Sequence, residues 1–147
     1  EQFGSCDFLI STDVFEHVLP PVSAAFTGAR QLLRDGGVLI LTVPYTVAPV
    51  QTIEHFPSLH EWALEQGEDG NWRMQNKRID GSLELFTDLV FHGGPGSTLE
   101  MRLFSQQSLL EELQKAGFSS VRIAADPMPE IGVIWSHAWS LPIVARA

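Results

Sequence analysis

The amino-acid sequence predicts an α/β fold, because strand-like and helix-like segments alternate with short connections near both ends of the chain. Residues 1–44 read as strand, helix and strand. Elements joined in this way form a parallel strand pair with a right-handed crossover. Residues 45–104 do not continue this alternation and contain half of the glycines. They predict an insertion with its own structure, because so long a structureless stretch is unusual inside a compact domain.

The opening unit consists of two apolar runs with an amphipathic segment between them. Cys6–Ile10 is a short apolar run of the kind found in parallel strands that are covered on both faces. Residues 22–33 place apolar side chains at helical spacing along one stripe. The "RDGG" sequence at Arg34–Gly37 can end this helix, and Val38–Val43 then predicts a second buried strand.

The insertion contains one clear turn signal. Asn71–Phe86 predicts a β-hairpin with Asp80 and Gly81 at its tip. Both arms carry apolar side chains that could form one face of the hairpin. These are Trp72, Met74 and Ile79 on the first arm, and Leu83, Leu85 and Phe86 on the second.

The C-terminal part of the chain returns to helix and strand. Ser105 can cap a helix, Gly117 fits the end of that helix, and Phe118 can pack back against it. Val121–Ala125 and Ser140–Ala147 predict the last two strands.

Composition excludes several classes of function. The formal net charge is −9, and the densest group of basic residues, Arg73, Lys77 and Arg78, is too small to be a footprint for nucleic acid. The chain has one cysteine, Cys6, which indicates a reducing compartment. It shows neither a signal-peptide pattern nor an apolar run of membrane-spanning length, so we expect a cytoplasmic protein without membrane contact.

Two segments together resemble a known family. The sequences "CDFLISTDVFEHV" and "QLLRDGGVLILTVPY" are similar to the second half of a class I S-adenosylmethionine-dependent methyltransferase. The resemblance covers about residues 1–45 and 103–147. It implies a partial Rossmann-like methyltransferase sheet, with the family's strands in the order 4-5-7-6, the last strand antiparallel, and an inserted β-hairpin region.

The family's glycine-rich cofactor loop has no counterpart in this sequence, and neither does the acidic residue that holds the cofactor ribose. The resemblance therefore implies that residues 1–147 form the single C-terminal part of a methyltransferase domain. Residues 45–104 would be the inserted region on the acceptor side. The strand at residues 6–10, central in the family's sheet, would lie at an edge, where it could pair with a second copy in a homodimer or be covered by the inserted hairpin.

The resemblance also implies site residues. In the family, the segment after the fourth strand lines the cofactor, which assigns cofactor contacts to Ser11, Thr12, Asp13 and Glu16. Glu16 could instead interact with the positive end of the following helix. His17 is the candidate general base, since histidine is the side chain that most often has this role, although it could instead hydrogen-bond local backbone.

Other residues could face the methyl acceptor. Tyr45 and Trp62 could form an aromatic wall, and His92 lies in a glycine-rich segment that we place at the acceptor mouth. Aromatic core packing and a tight loop are the alternatives. His60 and Glu61 could join His55 or His92 around a metal, but the spacing is not a known ligand pattern, so no metal site is predicted.

The predicted function is methyl transfer from S-adenosyl-L-methionine to an oxygen, nitrogen or carbon nucleophile on a small molecule, in the complete enzyme. This chain alone would be inactive. The alternative is a non-catalytic dimerisation or binding module that derives from the same fold. A nicotinamide-dependent enzyme on a Rossmann-like sheet is a weaker third reading, since its fingerprint is also missing.

Overall fold

The computed structural model describes residues 3–137 and 139–147. Strands and helices follow one another along this part of the chain, with the longest elements near its two ends. The strands are β1 (Cys6–Thr12), β2 (Leu33–Thr42), β3 (Tyr45–Thr46), β4 (Ile53–Glu54), β5 (Glu61–Gln66), β6 (Trp72–Lys77), β7 (Leu83–Phe86), β8 (Phe91–His92), β9 (Thr98–Leu99), β10 (Arg102–Ser105), β11 (Ser120–Ile123) and β12 (Ile143–Arg146). The helices are α1 (Ser23–Leu32) and α2 (Gln106–Lys115), and single 3₁₀ turns cover Phe15–His17 and Pro129–Ile131.

The main sheet has four strands in the order β1-β2-β12-β11. β1 and β2 are parallel and joined by α1, which confirms the predicted strand–helix–strand unit. β12 runs antiparallel to both of its neighbours. β2 begins at Leu33, directly after the helix, so the "RDGG" sequence lies within the strand and not in a separate turn. The pairing with β1 shifts register there, between Cys6 and Phe8.

The two faces of the main sheet differ. One face, with Leu39 and Leu41 at its centre, belongs to the buried core that also contains Phe26 of α1 and Leu109 of α2. The opposite face carries Phe8 and Ile10, which are 68% and 67% exposed. The prediction that Cys6–Ile10 is covered on both faces is therefore wrong for this chain, because both helices pack on the same side of the sheet.

β1 lies at one edge of the main sheet, and β2 is its pairing partner among the described strands. The inserted hairpin does not pair with β1, since β5, β6 and β7 form a sheet of their own. The prediction that β1 pairs with a second copy stays a prediction.

The signals around the second helix are confirmed. The Ser105 side chain accepts a hydrogen bond from the Ser108 backbone N–H at 3.0 Å, which satisfies one of the free amides at the start of α2. Gly117 follows the end of the helix with φ of 94°, a left-handed conformation that favours glycine. Phe118 is buried in the main core, and its N–H donates to the Leu113 carbonyl.

The inserted region has a second, smaller core. The predicted hairpin is present, with Lys77 of β6 opposite Leu83 of β7. Its predicted apolar face is only partly correct, since Met74 is buried and pairs with Phe86, whereas Ile79, Leu83 and Leu85 are exposed. The reason is strand alternation, which turns Leu83 and Leu85 away from the Phe86 side. Met74 packs in a cluster with three other buried residues: Phe56, Leu99 and Met101.

Candidate functional site

The carboxyl end of the parallel strand pair is the first feature of the candidate site. Ser11 and Thr12 are the last residues of β1, and Asp13 follows with φ of 51°. The Asp13 N–H donates to the Thr42 carbonyl at 2.8 Å, so the chain leaves the sheet in a fixed direction. Open α/β sheets bind their ligands at this end. A left-handed conformation at a non-glycine residue is uncommon and clusters at such sites.

A 3₁₀ turn then carries Glu16 into the interior. Glu16 is 0% exposed, and its backbone carbonyl accepts a hydrogen bond from the Met101 N–H at 2.8 Å. The next residue, His17, contacts the same segment, because its Nδ1 lies 2.8 Å from the Leu99 carbonyl oxygen. A carbonyl can only accept, so Nδ1 carries the proton and Nε2 of the neutral ring has a free lone pair.

Arg102 fastens this turn to the inserted region. Its guanidinium is fully buried and donates from Nη1 to the Phe15 carbonyl at 2.8 Å and to the Val18 carbonyl at 2.7 Å. Its Nε donates to Oε1 of Glu54 at 2.7 Å. Arg102 therefore bonds the backbone on both sides of Glu16 and His17, and Glu54 supplies the negative charge that balances the buried guanidinium.

A histidine–glutamate cluster lies beside the turn. Its members are Glu16, His17, His55, His92 and Glu100. Glu100 bridges two of the histidines, with Oε1 at 2.8 Å from Nε2 of His55 and Oε2 at 2.8 Å from Nε2 of His92. An ionised carboxylate can only accept, so each of these nitrogens donates its proton to Glu100. The second nitrogen of His92, Nδ1, is then free to act as an acceptor.

The carboxylate of Glu16 lies between the two remaining histidine nitrogens. Oε1 is 3.6 Å from Nε2 of His17 and 3.7 Å from Nδ1 of His92. Neither of its oxygens has a hydrogen-bond partner among the described residues. Burial raises the pKa of the Glu16 carboxyl. The nearby Asp13 acts in the same direction, whereas His17 and His92 act against it.

The structure brings some of the sequence-predicted residues together. Glu16, His17 and His92 meet in this cluster, whereas Ser11 and Thr12 line an adjacent groove of about 510 Å³ between the edge of β1 and α1. The groove is otherwise mostly apolar, and includes Leu9, Ala25, Ala29 and Leu32.

The two predicted aromatic residues lie elsewhere. Tyr45 belongs to the main core at 1% exposure, and its hydroxyl accepts a hydrogen bond from the Leu141 N–H at 3.1 Å. Trp62 is on β5 of the separate sheet, in a shallow groove with Glu61 and Lys77. The predicted acceptor role of both residues stays a prediction.

Sequence reasoning missed two residues that organise the site, Glu100 and Arg102. They lie two residues apart near the end of the insertion, where a strand-like run returns to the main sheet. The usable signal was the pair of ionisable residues between the apolar residues Leu99, Met101 and Leu103, since a charge inside an apolar run requires a partner. What the sequence could not supply was the identity of those partners.

The fold is similar to those of solved methyltransferases. The chain is similar to an S-adenosylmethionine-dependent methyltransferase from Mesorhizobium loti, with a TM-score of 0.51 and 14% identity over 99% of this chain and 64% of that one. It is also similar to the 1,6-didemethyltoxoflavin-N1-methyltransferase of Burkholderia thailandensis, solved with 1,6-didemethyltoxoflavin and S-adenosylhomocysteine. That likeness has a TM-score of 0.50 and 17% identity over 99% of this chain and 45% of that one. No protein-family model and no curated protein sequence matches the chain.

Sequence identity to both proteins is low, and the likenesses support a methyltransferase-like α/β fold. The chain spans less than two thirds of the length of either solved protein. In the described part of the chain, no helix has both the length and the apolar character needed to cross a bilayer.

Proposed function

We propose that this chain is the C-terminal part of a class I methyltransferase domain. In the complete enzyme, that domain would transfer a methyl group from S-adenosyl-L-methionine to an oxygen, nitrogen or carbon atom of a small molecule. The observation that carries the proposal is the polar segment Ser11–His17, which begins in the last two residues of a parallel strand, at the ligand-binding end of a methyltransferase-like sheet.

The sheet supports this assignment. If β1, β2, β12 and β11 correspond to the family's strands 4, 5, 7 and 6, the observed order and the reversed direction of β12 both agree with the family pattern. The exposed side chains of Phe8 and Ile10 agree with a face and an edge that further strands and helices would cover.

Ser11, Thr12 and Asp13 are the proposed cofactor contacts, since Ser11 and Thr12 end β1 and line the groove beside it, and Asp13 follows them directly. The cofactor supplies an electrophilic methyl group on a sulfonium centre when it is bound. The residues of this chain would position it and hold the acceptor in line, from which most of the rate enhancement can come.

His17 is the proposed general base. Its Nδ1 proton is committed to the Leu99 carbonyl, so Nε2 can receive the proton that a hydroxyl or amine acceptor loses. The bound cofactor would supply the methyl carbon to the acceptor atom, and its sulfur would keep the electron pair of the broken carbon–sulfur bond. Glu16, 3.6 Å from Nε2, would stabilise the charged imidazolium that results.

Calorimetry with S-adenosylhomocysteine tests the proposal. We expect binding by a protein extended at its N-terminus along its own gene, and little or none by residues 1–147 alone. An Asp13→Val variant of the extended protein should bind at least about tenfold more weakly, because a β-branched residue does not adopt φ of 51°. Asp126→Val, in an exposed loop, is the matched control. Equal affinity in the Asp13 variant and the control would refute the assignment of this segment.

The free edge of β1 favours a second candidate, a non-catalytic module that pairs with its own copy. Light scattering on residues 1–147 distinguishes it. A stable dimer that a Phe8→Lys, Ile10→Lys double variant converts to monomer would support the module, and a monomer at all concentrations would exclude it.

A further inference from the structure

We propose that Glu16, His17 and His92 form a binding site for a divalent transition-metal cation of the zinc class. Their ligand atoms, a Glu16 carboxylate oxygen, Nε2 of His17 and Nδ1 of His92, all lie within 4.8 Å of one another. Two imidazole nitrogens and one carboxylate oxygen are a ligand set that zinc uses in catalytic sites. The inference concerns binding alone and does not rest on methyl transfer.

The buried carboxylate of Glu16 lacks a hydrogen-bond partner in the described part of the chain, and this is the main observation behind the proposal. Both oxygens of Glu16 lack a hydrogen-bond partner among the described residues, although the residue is 0% exposed. An isolated buried carboxylate is strongly unfavourable, and native proteins pair such groups or use them to bind metals. The protein nevertheless holds Glu16 firmly in place through the Met101 N–H and the bonds of Arg102 to Phe15 and Val18.

The histidines are oriented as metal ligands are. Each donates one N–H to a fixed acceptor, His17 to the Leu99 carbonyl and His92 to the Glu100 carboxylate, at 2.8 Å in both cases. The remaining nitrogens, with their lone pairs, both approach Oε1 of Glu16, at 3.6 and 3.7 Å. Ligands at about 2.0–2.2 Å from a tetrahedral zinc lie roughly 3.3–3.6 Å apart, which the two distances to Oε1 nearly match. The two nitrogens lie within 4.8 Å of each other, so a shared cation would require them to approach by about 1.5 Å at most.

Glu100 would orient a metal ligand, His92, without binding the metal itself. It accepts from His92 and from His55 at once, which fixes the ring of His92 and makes its free nitrogen a better ligand. Three protein ligands leave a fourth position on the cation. His17 and His92 are partly exposed, with 15% and 33% of their side chains accessible, so solvent reaches these ligands. A water or an acceptor oxygen could occupy the fourth position.

This site departs from the sequence prediction, which considered His60 and Glu61 with His55 or His92 and predicted no metal. His60 and Glu61 lie on and beside β5, where Glu61 pairs with Lys77 at 3.0 Å. The ligands come from two distant segments, the turn after β1 and the β8 strand of the insertion, and no local spacing connects them.

A cation would change the role of His17. Nε2 cannot bind a metal and accept a proton at the same time. In the metal-loaded protein His17 is therefore a ligand, and an acceptor oxygen bound to the cation would lose its proton more readily. His17 can therefore be a metal ligand or a general base, but not both at once, and the zinc titration below tests the first of these roles.

The test is zinc titration of chelator-treated protein in competition with a chromophoric chelator. We expect one zinc ion per chain, bound at least tenfold more tightly than Mg²⁺ or Ca²⁺, since nitrogen ligands disfavour those cations. Glu16→Gln and His92→Ala should each weaken zinc binding by at least about a hundredfold. Glu100→Gln should weaken it by about ten- to a hundredfold. His60→Ala, an exposed histidine outside the cluster, is the control and should leave binding unchanged.

Cobalt substitution gives a second measurement that does not depend on the variants folding. Co²⁺ added to the wild-type chain should produce visible absorption of a four- or five-coordinate site, which one equivalent of Zn²⁺ removes. Absence of that absorption, or zinc binding that His60→Ala weakens as much as His92→Ala does, overturns the proposal. Neither outcome bears on cofactor binding, which S-adenosylhomocysteine tests separately, whereas zinc at Nε2 would rule out His17 as the general base.

Discussion

Replacing Arg102 tests whether the buried guanidinium holds the turn that carries Glu16 and His17. Arg102→Met keeps much of the side-chain volume and removes the hydrogen bonds to the Phe15 carbonyl, the Val18 carbonyl and Glu54. The two carbonyls lose a charged donor in a buried or half-buried position. The Glu54 carboxylate is 31% exposed and can regain water.

The expected loss follows from these contacts. An unsatisfied buried acceptor costs about 1–3 kcal/mol, and the partly exposed ion pair with Glu54 adds little after solvent screening. We expect Arg102→Met to lower the free energy of unfolding by about 2–4 kcal/mol. For a domain of this size, 1 kcal/mol corresponds to roughly 2–4 °C in Tm, so Tm should fall by roughly 5–15 °C.

Urea unfolding, followed by tryptophan fluorescence and circular dichroism, measures this loss. Arg102→Lys keeps the charge but cannot reach three acceptors at once, so it should fall between the wild type and Arg102→Met. Arg122→Met, on the exposed side of β11, is the matched control and should stay within about 0.5 kcal/mol of the wild type. If Arg102→Met loses less than about 1 kcal/mol, the guanidinium does not hold the turn and the reasoning fails.

Three further predictions address the cap, the buried carboxylate and the two faces of the sheet. Ser105→Ala should lower the free energy of unfolding by about 1 kcal/mol in urea, because it removes the cap of α2; an unchanged midpoint would contradict this. In chelator, Glu16→Gln should become more stable relative to the wild type as pH rises from about 4.5 to 8. Burial raises the pKa of Glu16 in the folded protein. The protonated Glu16 therefore contributes fully to the free energy of unfolding below its ordinary pKa of 4.5, and this contribution is lost as pH rises through the pKa of the folded state. A difference in Tm that does not vary with pH would refute it. Leu39→Ala should cost about 2–5 kcal/mol and Phe8→Ser less than about 1, since only the first is buried; similar losses would show that both faces are covered.

The main sheet could be predicted because its signals are local. The apolar runs at Cys6–Ile10 and Val38–Val43, the helical spacing between them, and the Ser105 and Gly117 signals each depend on neighbouring residues. The exposure of Phe8 and Ile10 could not be predicted from the run itself, since an apolar strand looks the same whether or not a second layer covers it.

The candidate site was predicted only in part for a related reason. Ser11–His17 stands out because polar residues follow an apolar strand directly. The meeting of Glu16 with His92, and of Arg102 with Phe15, depends on how a long insertion folds back on the sheet. Nothing in the spacing of these residues along the chain determines that return path.

The segment from Leu99 to Arg102 binds the turn and the histidines at each of its four positions. Leu99 accepts from His17, Glu100 accepts from His55 and His92, Met101 donates to Glu16, and Arg102 donates to Phe15. These hydrogen bonds tie residues 99–102 to the turn, so the two segments cannot separate unless the bonds break together. Amide protons of residues 15–18 and 99–102 should therefore exchange with deuterium at similar rates, in a single cooperative opening.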